Sequence, residues 1–147
     1  MAPSSAFRGV LTALVTPMTP SGEVDLHAFD RLVDRQISAG IHGLVPCGTT
    51  GESPTLTPEE QATLIDHTVK RAAGRVPVLA GIGSNNTRTA IAHGQQAQAL
   101  GATGVLATAP YYNKPTQEGL FQHFTAIADA LEVEAVSYTH LRAHETQ

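Results

Sequence analysis

The residues best suited to chemistry lie in one run, Pro46-Cys47-Gly48-Thr49-Thr50-Gly51-Glu52-Ser53-Pro54-Thr55-Leu56. Gly48 and Gly51 bracket two threonines, so the backbone can turn tightly and present the Thr49 and Thr50 hydroxyls and N–H groups outward. Hydroxyls and backbone donors on one loop suit a small carboxylate or phosphate. No Gly-Lys-Ser/Thr follows, so the run is not a Walker A loop. A plain strand-to-helix turn is the competing reading of the same residues. Two further polar runs stand out, Gly83-Ser84-Asn85-Asn86-Thr87 and Pro110-Tyr111-Tyr112-Asn113-Lys114-Pro115-Thr116-Gln117-Glu118-Gly119-Leu120. An aromatic pair packing a loop onto a rim accounts for Tyr111 and Tyr112 as readily as a site does.

The elements that must position these runs alternate strictly. Gly9–Thr16 is nearly all apolar and reads as a first strand of the kind covered on both faces, stopped by Pro17. Leu26, Phe29, Val33 and Ile37 then recur at helical spacing up to Gly40. Gly43–Val45 is the second strand, leading into the threonine loop. Thr57, Pro58 and Glu60 predict a capping box for a helix carrying Leu64, Ile65, Val69 and Ala72 and ending at Gly74. Val76–Gly81 is a third strand, and Thr87 is the predicted cap of a helix through Ile91, Ala97 and Leu100. Gly104–Ala107 is a fourth strand. Thr116 is the predicted cap of a helix with Leu120, Phe124, Ile127 and Leu131 on one face. The class is α/β with parallel strands and right-handed crossovers. Periodicity does not separate a barrel from a doubly wound sheet. Gly81-Ile82-Gly83 lacks the third glycine of a dinucleotide fingerprint. Each polar run follows a strand's C-terminal end, where barrel active sites lie, and this favours the barrel.

At 147 residues the chain can bury a real core, whereas a complete (β/α)8 barrel needs roughly 250 residues, so a fragment is expected. Nine basic and 13 acidic residues give a net charge of −4, without a basic block to attract nucleic acid or an anionic membrane. One cysteine excludes an internal disulfide framework and fits a reducing compartment. The N-terminus shows neither a signal peptide nor a membrane span, which predicts a cytoplasmic protein. The seven histidines show no metal-ligand spacing. No metal or cofactor is expected.

Together the three polar runs resemble the dihydrodipicolinate synthase family, pyruvate-dependent class I aldolases whose relatives include the N-acetylneuraminate lyases. The resemblance runs from about Gly9 to Ala130. It implies the N-terminal half, about four βα units, of a (β/α)8 barrel. It also implies that Thr50 binds the pyruvate carboxylate and that Thr49 belongs to a hydroxyl relay between two tyrosines. By position one of these is Tyr112, reaching in from a neighbouring subunit, while Tyr111 belongs to the interface. The implied reaction condenses pyruvate, as a lysine-bound enamine, with aspartate semialdehyde, for lysine and diaminopimelate synthesis. The implied assembly is a homo-oligomer, a tetramer in the full-length parent. Tyr111–Pro115 favours this branch over the sugar-acid lyases. A non-catalytic half-barrel serving as an interaction module is the other reading.

The remaining features set limits. Glu52 reads as a structural group whose carboxylate accepts N–H groups of the loop, and Cys47 as a small buried filler. The family's strand-five motif Tyr-Asn-x-Pro-x-Arg is not matched: counted from Gly119, Tyr138 falls at the tyrosine, but Thr139, Leu141 and Ala143 replace the other members. The Schiff-base lysine has no counterpart, since Lys70 and Lys114 are not on barrel strands, and the chain as written is expected to be inactive. Residues 1–135 are therefore read as a partial barrel domain. Residues 136–147 are read as a foreign tail, with a divergent fifth strand the alternative. Lysine-inhibited members of the family carry an acidic residue and histidines where this chain has Thr89, Pro58 and Gln61, so weak or absent inhibition by lysine is expected.

Overall fold

The computed structural model describes residues 5–139, in which β1 (Leu11–Ala13), β2 (Gly43–Val45), β3 (Leu79–Gly81), β4 (Gly104–Thr108) and β5 (Glu134–Tyr138) alternate with α1 (Leu26–Ser38), α2 (Pro58–Ala72), α3 (Thr87–Ala99) and α4 (Gln117–Asp129). All strands pair in parallel in the order of the chain. β1 pairs with β2, Leu44 bridges to Val78 at the start of β3, and β3, β4 and β5 form a continuous ladder. The amides of Leu44 and Gly81 carry the β2–β3 junction by donating to Pro77 O and Pro46 O at 3.1 and 2.9 Å. A doubly wound sheet reverses its strand order at a switch point; this sheet never does, which is barrel topology.

The sequence explains why each helix starts where it does. Asp25 caps α1, its carboxylate accepting from Ala28 N at 2.8 Å. The capping box at α2 forms as predicted, with Thr57 Oγ1 accepting from Glu60 N and Glu60 Oε2 from Thr57 N. Thr116 caps α4. At α3 the expectation is corrected: the cap is Asn86, whose Oδ1 accepts from Arg88 N and Thr89 N. Thr87 is the first helical residue, and its hydroxyl pairs instead with His123 Nδ1 at 2.8 Å. An amide reaches two free N–H groups of the first turn at once, which a single hydroxyl does less well.

The core lies between sheet and helices. Phe29 and Val33 of α1, Leu64 of α2, Leu44 of β2 and Val105 of β4 are fully buried, each contributing about 1.5–3 kcal/mol. On the outer surface Arg71 of α2 binds Asp30 and Asp34 of α1, and His67 Nδ1 meets Asp30 Oδ1 at 2.9 Å, clipping the two helices together. At the opposite end from the loops, a Cβ on Gly104 would lie 2.7 Å from the Phe7 ring, and Ser5 Oγ donates to Glu134 at 2.6 Å. The N-terminal segment therefore reaches across to β4 and β5.

Strand pairing runs past residue 135. Val136, Ser137 and Tyr138 pair with Leu106, Ala107 and Thr108. Among the described residues β5 pairs on one side only, with most of its side chains exposed, so the ladder forms without the apolar run expected of a covered strand. Residues 140–147, the rest of the stretch read as a tail, lie outside the described residues.

Candidate active site

The threonine loop is more structured than a simple turn. Cys47 takes a left-handed φ of 57°, a 3-10 turn spans Thr49–Gly51, Glu52 turns left-handed at φ 58°, and a second 3-10 turn spans Ser53–Thr55 before Leu56 is buried. The loop is held from beneath at two points. Thr16 Oγ1, beyond the end of β1, donates to Gly51 O at 2.7 Å in a buried bond. Gln61 Nε2, from the first turns of α2, donates to Ser53 O at 3.0 Å and Leu56 O at 3.4 Å. Gly51 has to be a glycine for this seat: a Cβ there would lie 2.9 Å from Leu14 O and 3.2 Å from Thr16 Oγ1. With its underside anchored, the loop leaves Thr49 and Thr50 exposed.

Both threonines line a cavity of about 560 Å³ at the C-terminal ends of the strands. Ala13, Val45 and Leu106 give it an apolar floor, and Gly81 and Gly83 leave its middle free of side chains. Thr108 and Tyr138, aligned on β4 and β5, add hydroxyls on the far side. This is the arrangement that the placement of polar runs after strands predicts, and it agrees with the position of active sites in barrels.

Of the residues singled out from sequence, Thr49 and Thr50 are brought together on the cavity, and Tyr112 is not. Tyr112 has φ 67° and is 93% exposed, and it does not line its own chain's cavity. Tyr111, expected at an interface, lines the cavity and is 52% exposed. Tyr138, not assigned from sequence, lines it as well; the gap-free count from Gly119 was the signal that could have found it. The reading of Glu52 as a carboxylate anchor is corrected. Its side chain is exposed, and what shapes the loop is its backbone, whose carbonyl accepts from Thr55 N and Thr55 Oγ1 at 2.9 Å each. Asn113 Nδ2 donates to Asn85 O at 2.8 Å, tying the Pro110–Pro115 loop to the loop after β3.

The electrostatics point away from nucleophilic or metal chemistry on these side chains. Cys47 lies in the cavity wall but is only 2% exposed, and burial pushes its thiol up to about 12, so it is no nucleophile at neutral pH. Burial lowers the pKa of His123, which is 4% exposed and bonds Thr87 through Nδ1. No group of histidine, cysteine and carboxylate side chains suited to a metal exists among the described residues. Lys70 pairs with Asp66 at 2.6 Å on α2, and neither it nor Lys114 lines the cavity.

Comparison with known proteins agrees with this geometry. A sequence profile described as the dihydrodipicolinate synthetase family matches residues 6–140. The 4-hydroxy-tetrahydrodipicolinate synthase of Gluconacetobacter diazotrophicus is 52% identical over 135 residues, covering 92% of this chain and 46% of the relative. That of Ruegeria pomeroyi is 57% identical over 132 residues, covering 90% and 45%. Among solved structures, the dihydrodipicolinate synthase of Thermotoga maritima superposes with a TM-score of 0.88 at 46% identity, covering 91% of this chain and 45% of that one. The chloride-inhibited enzyme of Acinetobacter baumannii, solved with pyruvate, gives 0.87 at 45% identity, covering 88% and 45%. This chain thus spans about half the length of the relatives it matches, and its own matched range, residues 6–140, includes the threonine loop. With profile, sequence and superposition in agreement over the described residues, the chain belongs to the dihydrodipicolinate synthetase family.

Proposed function

We propose that this chain supplies the pyruvate-recognising half of a 4-hydroxy-tetrahydrodipicolinate synthase, the class I aldolase that joins pyruvate to aspartate semialdehyde. The observation that carries this reading is the threonine loop, anchored by Thr16 and Gln61 and opening two hydroxyls onto a cavity at the strands' C-terminal ends. Thr50, with the N–H groups of its 3-10 turn, binds the keto-acid carboxylate; hydrogen bonds to a charged acceptor are the stronger kind. Thr49 passes protons between Tyr138 of its own chain and Tyr112 of a neighbouring copy. The exposure of Tyr112 supports such a reach. The assembly this implies is a homo-oligomer, a tetramer, with the cytoplasm as its compartment. No helix among the described residues is long and apolar enough to cross a membrane.

The residues lining the cavity include no lysine, so these residues bind pyruvate without capturing it as an imine. Lysine is at most a weak inhibitor on this reading. Both donors of the Gln61 amide are engaged by the loop, and Pro58 offers no polar group. A chimera joining residues 1–135 of this chain to the C-terminal part of the Ruegeria relative tests the assignment. It should form a borohydride-trapped adduct with pyruvate and consume aspartate semialdehyde, while the 147-residue chain should trap none. A folded chimera that traps pyruvate but ignores aspartate semialdehyde would refute the second substrate. One that traps no pyruvate would refute the reading altogether.

A further inference from the structure

The cavity has two polar sides. Thr49 and Thr50 follow β2, while Thr108 ends β4 and lies in register with Tyr138 of β5. Between them run β3 and the residues just after it, which present only Gly81, at the end of β3, and Gly83. Parallel strands lie about 4.8 Å apart, so β2 and β4 are on the order of 10 Å from each other across that bare strip. A three-carbon keto acid held by Thr50 is shorter than this and leaves the far side unfilled.

Thr108 is built into that far side. Leu106 and Thr108 are two residues apart, share one face of β4 and both line the cavity, while Val105 and Ala107 between and beside them are buried in the core. A Cβ on Gly83 would fall 2.3 Å from Thr108 Oγ1 and 3.1 Å from its Cγ2, so the bare glycine is what allows the side chain to seat there. A β-branched side chain in such a seat has little rotamer freedom. The fold gives Thr108 Oγ1 no hydrogen-bond partner among the described residues. A half-buried hydroxyl that is fixed, faces a cavity and is unspent within the fold is available to a ligand.

We infer that Thr108 is a specificity-determining residue that hydrogen-bonds the second, oxygen-bearing substrate, a short aldehyde acid, on the β4–β5 side of the cavity. The inference rests on the reading of Thr50 as the keto-acid side. Were Thr108 there only to pack on Gly83, its isostere valine would serve as well.

The test titrates the 147-residue chain by NMR with two probes, pyruvate alone and succinate semialdehyde in the presence of excess pyruvate. Losing one hydrogen bond should raise the dissociation constant of the semialdehyde about five-fold in T108V and leave it near wild type in T108S. T108V should leave the pyruvate constant unchanged, and T50V should raise it. Semialdehyde binding that is absent in the wild type, or equal in T108V and wild type, would overturn the inference. So would a loss in T108V that is the same for both probes. Should T108V fail to fold, T108A against T108S makes the same comparison, with loss expected only for alanine. A T50V variant that binds pyruvate like wild type would refute the keto-acid reading and leave the semialdehyde comparison to stand on its own.

Discussion

Gly48 and Gly51 bracket the two threonines symmetrically in sequence, yet alanine at the two positions should have opposite consequences. At Gly51 the new methyl would lie 2.9 Å from Leu14 O and 3.2 Å from Thr16 Oγ1. The first is backbone, and the second is a hydroxyl already engaged with Gly51 O at 2.7 Å, so neither yields without breaking the anchor under the loop. Overpacking of this kind costs about 1–3 kcal/mol. At roughly 4 °C per kcal/mol for a chain of this size, Gly51→Ala should lower Tm by about 4–12 °C. It should also lift Thr49 and Thr50 and abolish pyruvate binding. At Gly48 a Cβ meets nothing within 4 Å, and the backbone, at φ −79° and ψ −174°, suits any residue. Gly48→Ala should therefore be neutral, or stabilise by about 0.4–1 kcal/mol through the unfolded state. Thermal melts by circular dichroism, with pyruvate titrations beside them, read both quantities. Equal loss of stability in the two variants would refute the claim that close approach, and not turn-forming freedom, is what requires glycine here.

Three other outcomes are expected. Asp34 is held below its ordinary value first by its hydrogen bond to Arg71, so its contribution is present above the unfolded carboxylate pKa, near 4, and is lost as pH falls through the lowered folded value. The stability difference between wild type and Asp34→Asn should accordingly be constant from neutral pH to about 5 and shrink below 4, as read by urea titration at stepped pH; a difference that grows on acidification would contradict the assignment. Cys47, with its thiol raised to about 12 by burial, should resist iodoacetamide at pH 8 until urea unfolds the chain, and rapid labelling in native buffer would show the loop to be open. In a second chimera that keeps residues 1–139 of this chain, Tyr138→Phe should leave the melting curve and the carboxylate contact unchanged while removing proton transfer; full activity of that variant would remove Tyr138 from the relay.

Much of the architecture was legible because it rests on local rules. Leu26, Phe29, Val33 and Ile37 at helical spacing, the Thr57–Glu60 capping box and the apolar run before the threonine loop each act within a few residues. The cap of α3 was misplaced by one residue because Asn86 and Thr87 both suit the role, and it is the distant His123 that engages Thr87. Strand five was hard to see for a related reason. A strand paired on one side needs backbone partners more than apolar side chains, and Leu106 to Thr108 provide them.

For the site, the sequence by itself determined the composition: two hydroxyls between glycines after a strand, a tyrosine pair on a proline-flanked loop, and no lysine on a strand. Only the tertiary structure decided which of these meet. Thr16 and Gln61, 35 and 8 residues from the groups they hold, orient the threonine loop. The loop leaves Tyr112 93% exposed and outside the cavity's lining, and parallel pairing at β5 brings Tyr138 beside Thr108. Local propensity acts over a few residues, whereas a cavity at the ends of five strands is made of residues from every part of the chain, and their meeting is set by strand order and register.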